Sequence, residues 1–332
     1  MSLSQNPLTT QQLAERLQGK IIGSTDILLY GVGSLAKGQT GEIGFLAERS
    51  YRKQLAQSAL SAVLVSEAEE TAPASMVQIV VSDVKGAWRL VLEHFAPKRP
   101  APHIHETAII SQSALIGEDC TIGAGVVIEE NAVIGARAII GAGTIIGQGV
   151  QIGDDAHLDM GVKILPKTKI GHRVRILAGA VLGSRGFGLH FEGGRWRELP
   201  QLGGVWIGDD VEIGACTTID CGAIGDTCLE DGVKLDNHVQ VAHNVHIGAH
   251  TIIAGCTVIA GSVTFGKYCV VGGASVFAGH IEICDGAQFT GHSSVSKSIT
   301  IKDTYSSALT VMPMKQWARF VGALKLFGRP KA

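Results

Sequence analysis

Four histidines stand close together in HVQVAHNVHIGAH, residues 238 to 250, among Val, Ile, Ala and Gly. A neutral imidazole is a base near physiological pH and can take a proton from an attacking amine or hydroxyl. It is also a metal ligand. The plainer alternative is a ring in a solvated turn, and for His238, His246 and His250 that is the expected state. His243 differs only if the chain around it turns so as to aim its ring outward, so the elements that carry these residues decide what they can do.

Forty-three glycines make internal repetition the first thing to test. From Ile104, fourteen aliphatic residues recur at unbroken spacing of six: Ile104, Ile110, Ile116, Ile122, Ile128, Ile134, Ile140, Ile146, Ile152, Leu158, Ile164, Ile170, Ile176 and Leu182. The register is lost over 183–204, returns at Ile207, Ile213 and Ile219, slips once, and holds from Leu229 through Leu235, Val241, Ile247, Ile253, Ile259, Phe265, Val271, Phe277, Ile283, Phe289, Val295 and Ile301. Such a period fits neither a helix nor an alternating strand, but suits a solenoid of short strands with a turn every six residues. Val241 then points inward, and His243, two places on, falls at a turn where side chains project outward. The segment 183–204, with Phe187, Phe191 and Trp196, is too long and irregular for such a turn and is expected to loop out of the solenoid.

The rest of the chain reads differently. Over residues 1–100, helices are expected at TTQQLAERL, SYRKQLAQ and VKGAWRLVLEHF, and strands at DILLYGV, IGFL, SAVLV and VQIVV, forming a small α/β domain. The proline-rich APKRPAPH separates it from the solenoid at 101–303. Residues 304–332 form a C-terminal extension that finishes as a helix, MKQWARFVGALKLF.

Composition narrows the function classes. The hydrophobic fraction is 45% and the mean hydropathy +0.25, yet glycines and charges interrupt every apolar stretch before the roughly 18 residues a spanning helix needs. The opening MSLSQNPLTTQQLAERL has no basic segment followed by an apolar core, which predicts a cytoplasmic protein. Seven cysteines, odd in number and without a CxxC pair, argue against a disulfide framework or zinc knuckle. Net charge is −2, but from residue 297 onward Lys297, Lys302, Lys315, Arg319, Lys325, Arg329 and Lys331 face a single acid, Asp303. That is either a solvated helix face or a surface for an acidic partner.

The hexapeptide pattern resembles the bacterial hexapeptide-repeat transferases, which implies a left-handed parallel β-helix of three hexapeptides, eighteen residues, per coil. On that pitch Gly261 lies one coil above His243, and His280 one residue beyond the second coil, within about 10 Å at the usual strand spacing. A base, a bare backbone N–H and a second histidine on one face outline an acyl-transfer site, since an N–H can stabilise a tetrahedral oxyanion. The spacing of His238, His243 and His280 also loosely resembles the three-histidine zinc site of β-helical carbonic anhydrases, but there the lone histidine precedes the close pair, so no metal is expected.

The stretches GFGLHFEGGRWRELPQLGGVWIGDDVEIGACTTID, KLDNHVQVAHN, VVGGASVFAGHIEICD and GEIGFLAERSYRKQL are similar, over nearly the whole chain, to the UDP-3-O-(3-hydroxyacyl)glucosamine N-acyltransferases of lipid A biosynthesis. The resemblance implies a homotrimer with active sites between subunits, moving a 3-hydroxyacyl chain from acyl carrier protein to a glucosamine 2-amine. It implies neither metal nor redox cofactor, because phosphopantetheine arrives on the carrier. It places the base at His243, an assisting histidine at His280 and the oxyanion N–H at Gly261. Phe45 and Tyr51 match a pair that sandwiches uracil in a uridine-nucleotide-binding N-terminal domain, and Asp236, Asn237 and Gln240 match sugar and pantetheine contacts. The basic tail, with Lys297, Lys315 and Arg319, matches a surface for the acidic carrier. Three positions depart from the family pattern: Glu48 for an Asn, Cys221 for an Arg after TTID, and Ser294 and Ser296 for methionines at the end of the acyl groove. The alternatives are another hexapeptide-repeat sugar-nucleotide acyltransferase and a non-catalytic solenoid scaffold, which needs neither His243 nor the 183–204 loop.

Overall fold

A computed structural model describes residues 7–307, 309 and 311–327. The chain divides into two compact units between Arg99 and Pro100. The first is a five-stranded sheet in the order Lys20–Ile22, Val77–Val80, Ala62–Val65, Glu42–Phe45, Gly31–Val32, with Ile43, Leu64 and Ile79 fully buried. Its helix Thr10–Leu17 starts in a reciprocal cap: Gln12 N–H donates to the Thr9 hydroxyl, and Thr9 N–H donates to the Gln12 side chain. Asp83 caps the helix Val84–Phe95. The single strand expected at DILLYGV is two, parted at Tyr30: Leu28–Leu29 pairs antiparallel with Leu8–Thr9, and Gly31–Val32 joins the main sheet. The SYRKQL segment is a tight 3-10 turn, Arg49–Tyr51, running into one short helix, Arg52–Leu55.

The second unit is a parallel β-helix. Its rungs, two to four residues long, stack into three parallel sheets, and residues one coil apart pair directly, as Ile122 does with Ile140. The six-residue column points inward: Ile122, Ile128, Ile134 and Ile140 are each at most 2% exposed. Fully burying a side chain of this size is worth roughly 1.5–3 kcal/mol, so the column holds the coils together from Ile122 onward. At its two ends Ile104 and Ile301 are exposed, and Ile299 takes the place expected for Ile301, bridging Ile283. At the corners, non-glycine residues repeatedly adopt the left-handed conformation, including Arg137, Asp155, Arg173, Asp210, Asn244, Ser262 and His280. One corner carries opposite charges on successive coils. Arg137 grips Asp155 through Nε and Nη2 at 2.8 and 2.6 Å, and Arg173 grips Asp210 at 2.7 and 2.6 Å.

Two irregularities interrupt the winding. Residues 185–203 leave the solenoid as a hairpin, Leu189–Glu192 against Arg195–Glu198, closed by Gly193 and Gly194 at positive φ. Phe191 and Trp196 meet edge-on at 5.2 Å across it, and Trp196 remains 66% exposed. Residues 221–226 form a second, smaller bulge after the strand Thr218–Asp220. The solenoid runs one rung beyond Ile301: Thr304–Tyr305 pairs with Gln288–Phe289, and Tyr305 stacks on Phe289 at 5.6 Å. This rung follows after 16 residues instead of 18, which hides it from a six-residue count. The helix Met314–Phe327 follows.

Candidate active site

The strands Thr218–Asp220, Gln240–Val241, Val258–Ile259 and Val276–Phe277 stack in one sheet, one per coil. The chain turns two residues after each inward side chain, and the coils are tied there in sequence. Ser262 N–H donates to the His243 carbonyl at 3.0 Å, and His280 N–H donates to the Gly261 carbonyl at 3.1 Å. His243, Gly261 and His280 therefore occupy one corner on three successive coils. His243 is half-buried and His280 exposed.

The His243 ring is fixed at both ends. A Cβ placed on Gly261 would fall 2.7 Å from both Cε1 and Nε2 and 3.2 Å from Cδ2, over the face of the imidazole, so the bare glycine lets the ring lie directly against this coil. On the other side, Nδ1 meets the Asn244 Oδ1 at 3.2 Å. The orientation of that amide is set independently: its oxygen accepts from Ala223 N–H at 2.9 Å, and its nitrogen donates to the Gly225 carbonyl at 3.2 Å. An oxygen facing Nδ1 requires Nδ1 to carry the proton, which leaves the lone pair on Nε2. The neutral ring thereby carries its basic nitrogen at Nε2, beside the backbone of Gly261. The excursion of 185–203 closes the flank, because a Cβ on buried Gly186 would meet His243 Cβ at 2.9 Å and Gln201 Oε1 at 3.0 Å.

A carboxylate lies beside this corner. Asp220 Oδ1 accepts from the Ser184 hydroxyl at 2.6 Å and Oδ2 from Gln240 Nε2 at 3.2 Å, while Gln240 Oε1 takes the Thr218 hydroxyl. Burial pushes the Asp220 carboxyl above the usual carboxylate range, against the Ser184 hydrogen bond, the charge of His243 and the Gln240 hydrogen bond, which pull it down. Neither Asp220 nor Asn244 was singled out from sequence as a site residue.

The remaining sequence-derived residues are distributed as follows. Asp236 Oδ2 accepts from Gly255 N–H at 2.9 Å, and Asn237 Oδ1 from Ala215 N–H at 2.6 Å, so both side chains already tie neighbouring coils while staying exposed. His238 and His250 stand exposed at left-handed turns as expected, but His246 does not: it opens the strand His246–Ile247 and its Nε2 pairs with Glu230 at 2.9 Å. Residue 246 comes directly before an inward side chain, which puts it on a rung and not at a corner. In the N-terminal unit, Phe45 stacks on Trp88 with centroids 4.8 Å apart, and Tyr51 closes the 3-10 turn with 46% of its surface exposed. Glu48, beside them, accepts from the Ser50 hydroxyl, and Cys221 is buried.

At the far end of the solenoid, Ser294 and Ser296 line a cavity of about 200 Å³ with Phe289, Ser293 and Tyr305. The Ser294 N–H donates to the Ser307 hydroxyl at 2.7 Å. Lys297 borders the same cavity, and Lys315 and Arg319 are exposed on the terminal helix. The side chain of Lys325 and all of Arg329 and Lys331 lie outside the described residues. Among the described residues no cluster of His, Cys, Asp or Glu could hold a metal ion, and no helix is long and apolar enough to cross a membrane.

The family model for UDP-3-O-(3-hydroxymyristoyl) glucosamine N-acyltransferase, LpxD, matches residues 26–94, and that for the bacterial transferase hexapeptide matches 103–148, 149–184 and 229–261. A relative from Janthinobacterium sp. (strain Marseille), named UDP-3-O-acylglucosamine N-acyltransferase, is 46% identical over 314 residues, 93% of this chain and 90% of its own. The chain belongs to the UDP-3-O-acylglucosamine N-acyltransferase family. Relatives of the same name from Herminiimonas arsenicoxydans and Hahella chejuensis are 44% and 45% identical, over 92% and 96% of this chain and 89% and 91% of their own. The solved structure of an Arabidopsis UDP-N-acetylglucosamine acyltransferase shares the fold, with a TM-score of 0.57 and 22% identity over 62% of this chain and 71% of that one. Members of the family are acyltransferases.

Proposed function

We propose that this enzyme transfers a 3-hydroxyacyl group from the thioester of acyl carrier protein to the 2-amine of UDP-3-O-(3-hydroxyacyl)glucosamine. The observation that carries this reading is the His243 ring, held in one tautomer with its lone pair on Nε2, beside the backbone of Gly261. The amine nitrogen attacks the thioester carbonyl, and His243 Nε2 takes the proton the nitrogen sheds. The Gly261 N–H faces the oxyanion of the tetrahedral intermediate. When the intermediate collapses, the C–S bond breaks and the proton held by the imidazolium goes to the leaving thiolate of the pantetheine arm. No metal or redox group enters any of these steps. His280, at the same corner two coils on, assists in orienting the substrates.

The other parts follow the same reading. Phe45 and Tyr51 stack on uracil, Asp236, Asn237 and Gln240 contact the sugar and the pantetheine, and the Ser294 and Ser296 end of the solenoid receives the acyl terminus. The cationic terminal helix with Lys297 docks the acidic carrier, in a homotrimer with active sites between subunits, working in the cytoplasm on lipid A precursors. A non-catalytic scaffold would have no use for an imidazole wired into one tautomer. The test is His243→Ala, assayed by mass spectrometry of the acylated sugar nucleotide. Turnover should fall at least ~100-fold, the scale of a missing general base, with assembly and melting unchanged because the residue lies at a surface corner. Near-normal turnover would sink the assignment.

A further inference from the structure

We propose that Asp220 supplies the negative charge that balances the imidazolium of His243 during acyl transfer, acting through His243 as a positioning residue and not on the substrate itself. The inference rests on the reading of His243 as the base.

The geometry singles out this carboxylate. Asp220 ends the strand Thr218–Asp220, one coil before the strand Gln240–Val241 that leads into His243. Ser184, its partner on the preceding coil, pairs with it across a register shift after Leu182, the point at which the chain leaves for the hairpin. Both carboxylate oxygens are held, by the Ser184 hydroxyl and the Gln240 amide, and Gln240 is itself anchored by Thr218. Every one of these holding groups is neutral. The pairing of Ile219 with Val241 sets Asp220 one coil below Ala242, the residue before His243, and the charge of His243 acts on it. Against His243 itself stand the neutral Asn244 amide and two glycines, 186 and 261.

The chemistry needs a charge at this place. In a Ser-His-Asp triad one carboxylate both fixes the tautomer and stabilises the imidazolium. Here Asn244 fixes the tautomer, but an amide carries no net charge. When the attacking nitrogen gives its proton to Nε2, a cation appears in a half-buried corner lined by glycines, and a cation in that position is costly without a counter-charge. Asp220 is in place to provide it, and its own burial is offset in the same way once His243 is protonated. The two tasks of the triad carboxylate are thus divided between two residues.

Asp220→Asn tests this, since it removes the charge while keeping the shape. Its Oδ1 can still accept from Ser184, and Gln240 can turn its amide because the Thr218 hydroxyl both donates and accepts. The expected plateau kcat/KM is ~10- to 100-fold lower. The acid limb of the pH profile, where activity is lost as the base becomes protonated, moves to lower pH by at least about half a unit, because a nearby opposite charge favours the protonated ring. Ser184→Ala, which keeps the charge and loses one hydrogen bond, should leave the limb in place. The pH dependence of His243 carbethoxylation by diethyl pyrocarbonate, read by peptide mass spectrometry, gives the same shift without needing turnover and so covers a variant too slow to assay. An unmoved limb and an unmoved carbethoxylation profile in Asp220→Asn overturn the proposal, whatever the rate. If His243→Ala is inactive while these profiles do not move, only the role of Asp220 fails. If His243→Ala turns over normally, the reading of the site fails first.

Discussion

Replacing Gly261 with Ala puts the geometry of the site to its most direct test. The new methyl would sit 2.7 Å from both Nε2 and Cε1 of His243, whereas unstrained carbon contacts begin near 3.5 Å. The ring must give by about 0.8 Å, or the coil must. The ring has little freedom, because Asn244 holds Nδ1 and Gly186 presses on its Cβ side. Displacements near 1 Å at a reacting atom cost on the order of 100-fold, and the methyl would press on the ring face at the basic nitrogen. We therefore expect kcat/KM for the acyl-transfer reaction to fall ~100-fold. Stability should fall by about 1–3 kcal/mol, the usual cost of overpacking, with no added backbone strain because Gly261 lies outside the left-handed region. The control is Gly291→Ala, whose methyl would come no nearer than 3.3 Å to the Gly273 carbonyl and should keep full activity. Steady-state kinetics beside thermal melting decide it. A well-folded Gly261→Ala enzyme with near-normal kcat/KM would refute the placement of the reacting amine, and activity lost only in proportion to protein unfolded at the assay temperature would mean the glycine serves packing alone.

Three further outcomes follow from other parts of the molecule. Tyr51→Ala should raise KM for the sugar nucleotide about tenfold while changing kcat little, the mark of lost uniform binding; an unchanged KM would place the base elsewhere. Affinity for acyl carrier protein, measured by titration at 50 and 300 mM salt, should weaken with salt and weaken further when Lys315 and Arg319 are both reversed to Glu, because exposed charge attraction is screened. Salt-independent binding would leave the terminal helix merely solvated. Ser294→Met should shift preference toward shorter 3-hydroxyacyl thioesters, since the side chain extends beside a cavity of about 200 Å³, and each methylene denied burial costs about 0.8 kcal/mol. The unaltered enzyme should accept chains of myristoyl length or longer, and competition between short and long thioesters reads both statements.

Much of this was legible in the sequence because a single periodicity governs most of the chain. Once Val241 is placed inward, counting alone brings His243, Gly261 and His280 to one corner, as the structure does. The same count could not find Asp220. Its partners lie 36 and 20 residues away, at Ser184 and Gln240, because the hairpin excursion and the bulge at 221–226 intervene. Asn244 escaped for a related reason: its amide is oriented by Ala223 and Gly225, which belong to that bulge. His246 was misplaced at a turn although its neighbour Ile247 belongs to the inward column, and its partner Glu230 lies 16 residues back, off the coil pitch. Periodic sequence thus reports stacked positions well and reports poorly what is inserted between them, which is where the base acquires its supporting groups.

The corner ladder of arginine and aspartate bears on how a gene for such a protein can change length. Arg137 and Asp155 are 18 residues apart, yet Arg173 and Asp210 make the same two-pronged contact across 37. The additional residues were accommodated by bulging one corner outward, and the coils on either side kept their alignment. An insertion of six residues within the winding would instead carry every later side chain round to the next face, and placed between His243 and Gly261 it would send the two to different edges. Descent with retained activity is therefore confined to gains and losses of eighteen codons, or to loops extruded at a corner. Tags or sensor domains grafted between Gly193 and Gly194 follow the second route and should leave the winding undisturbed.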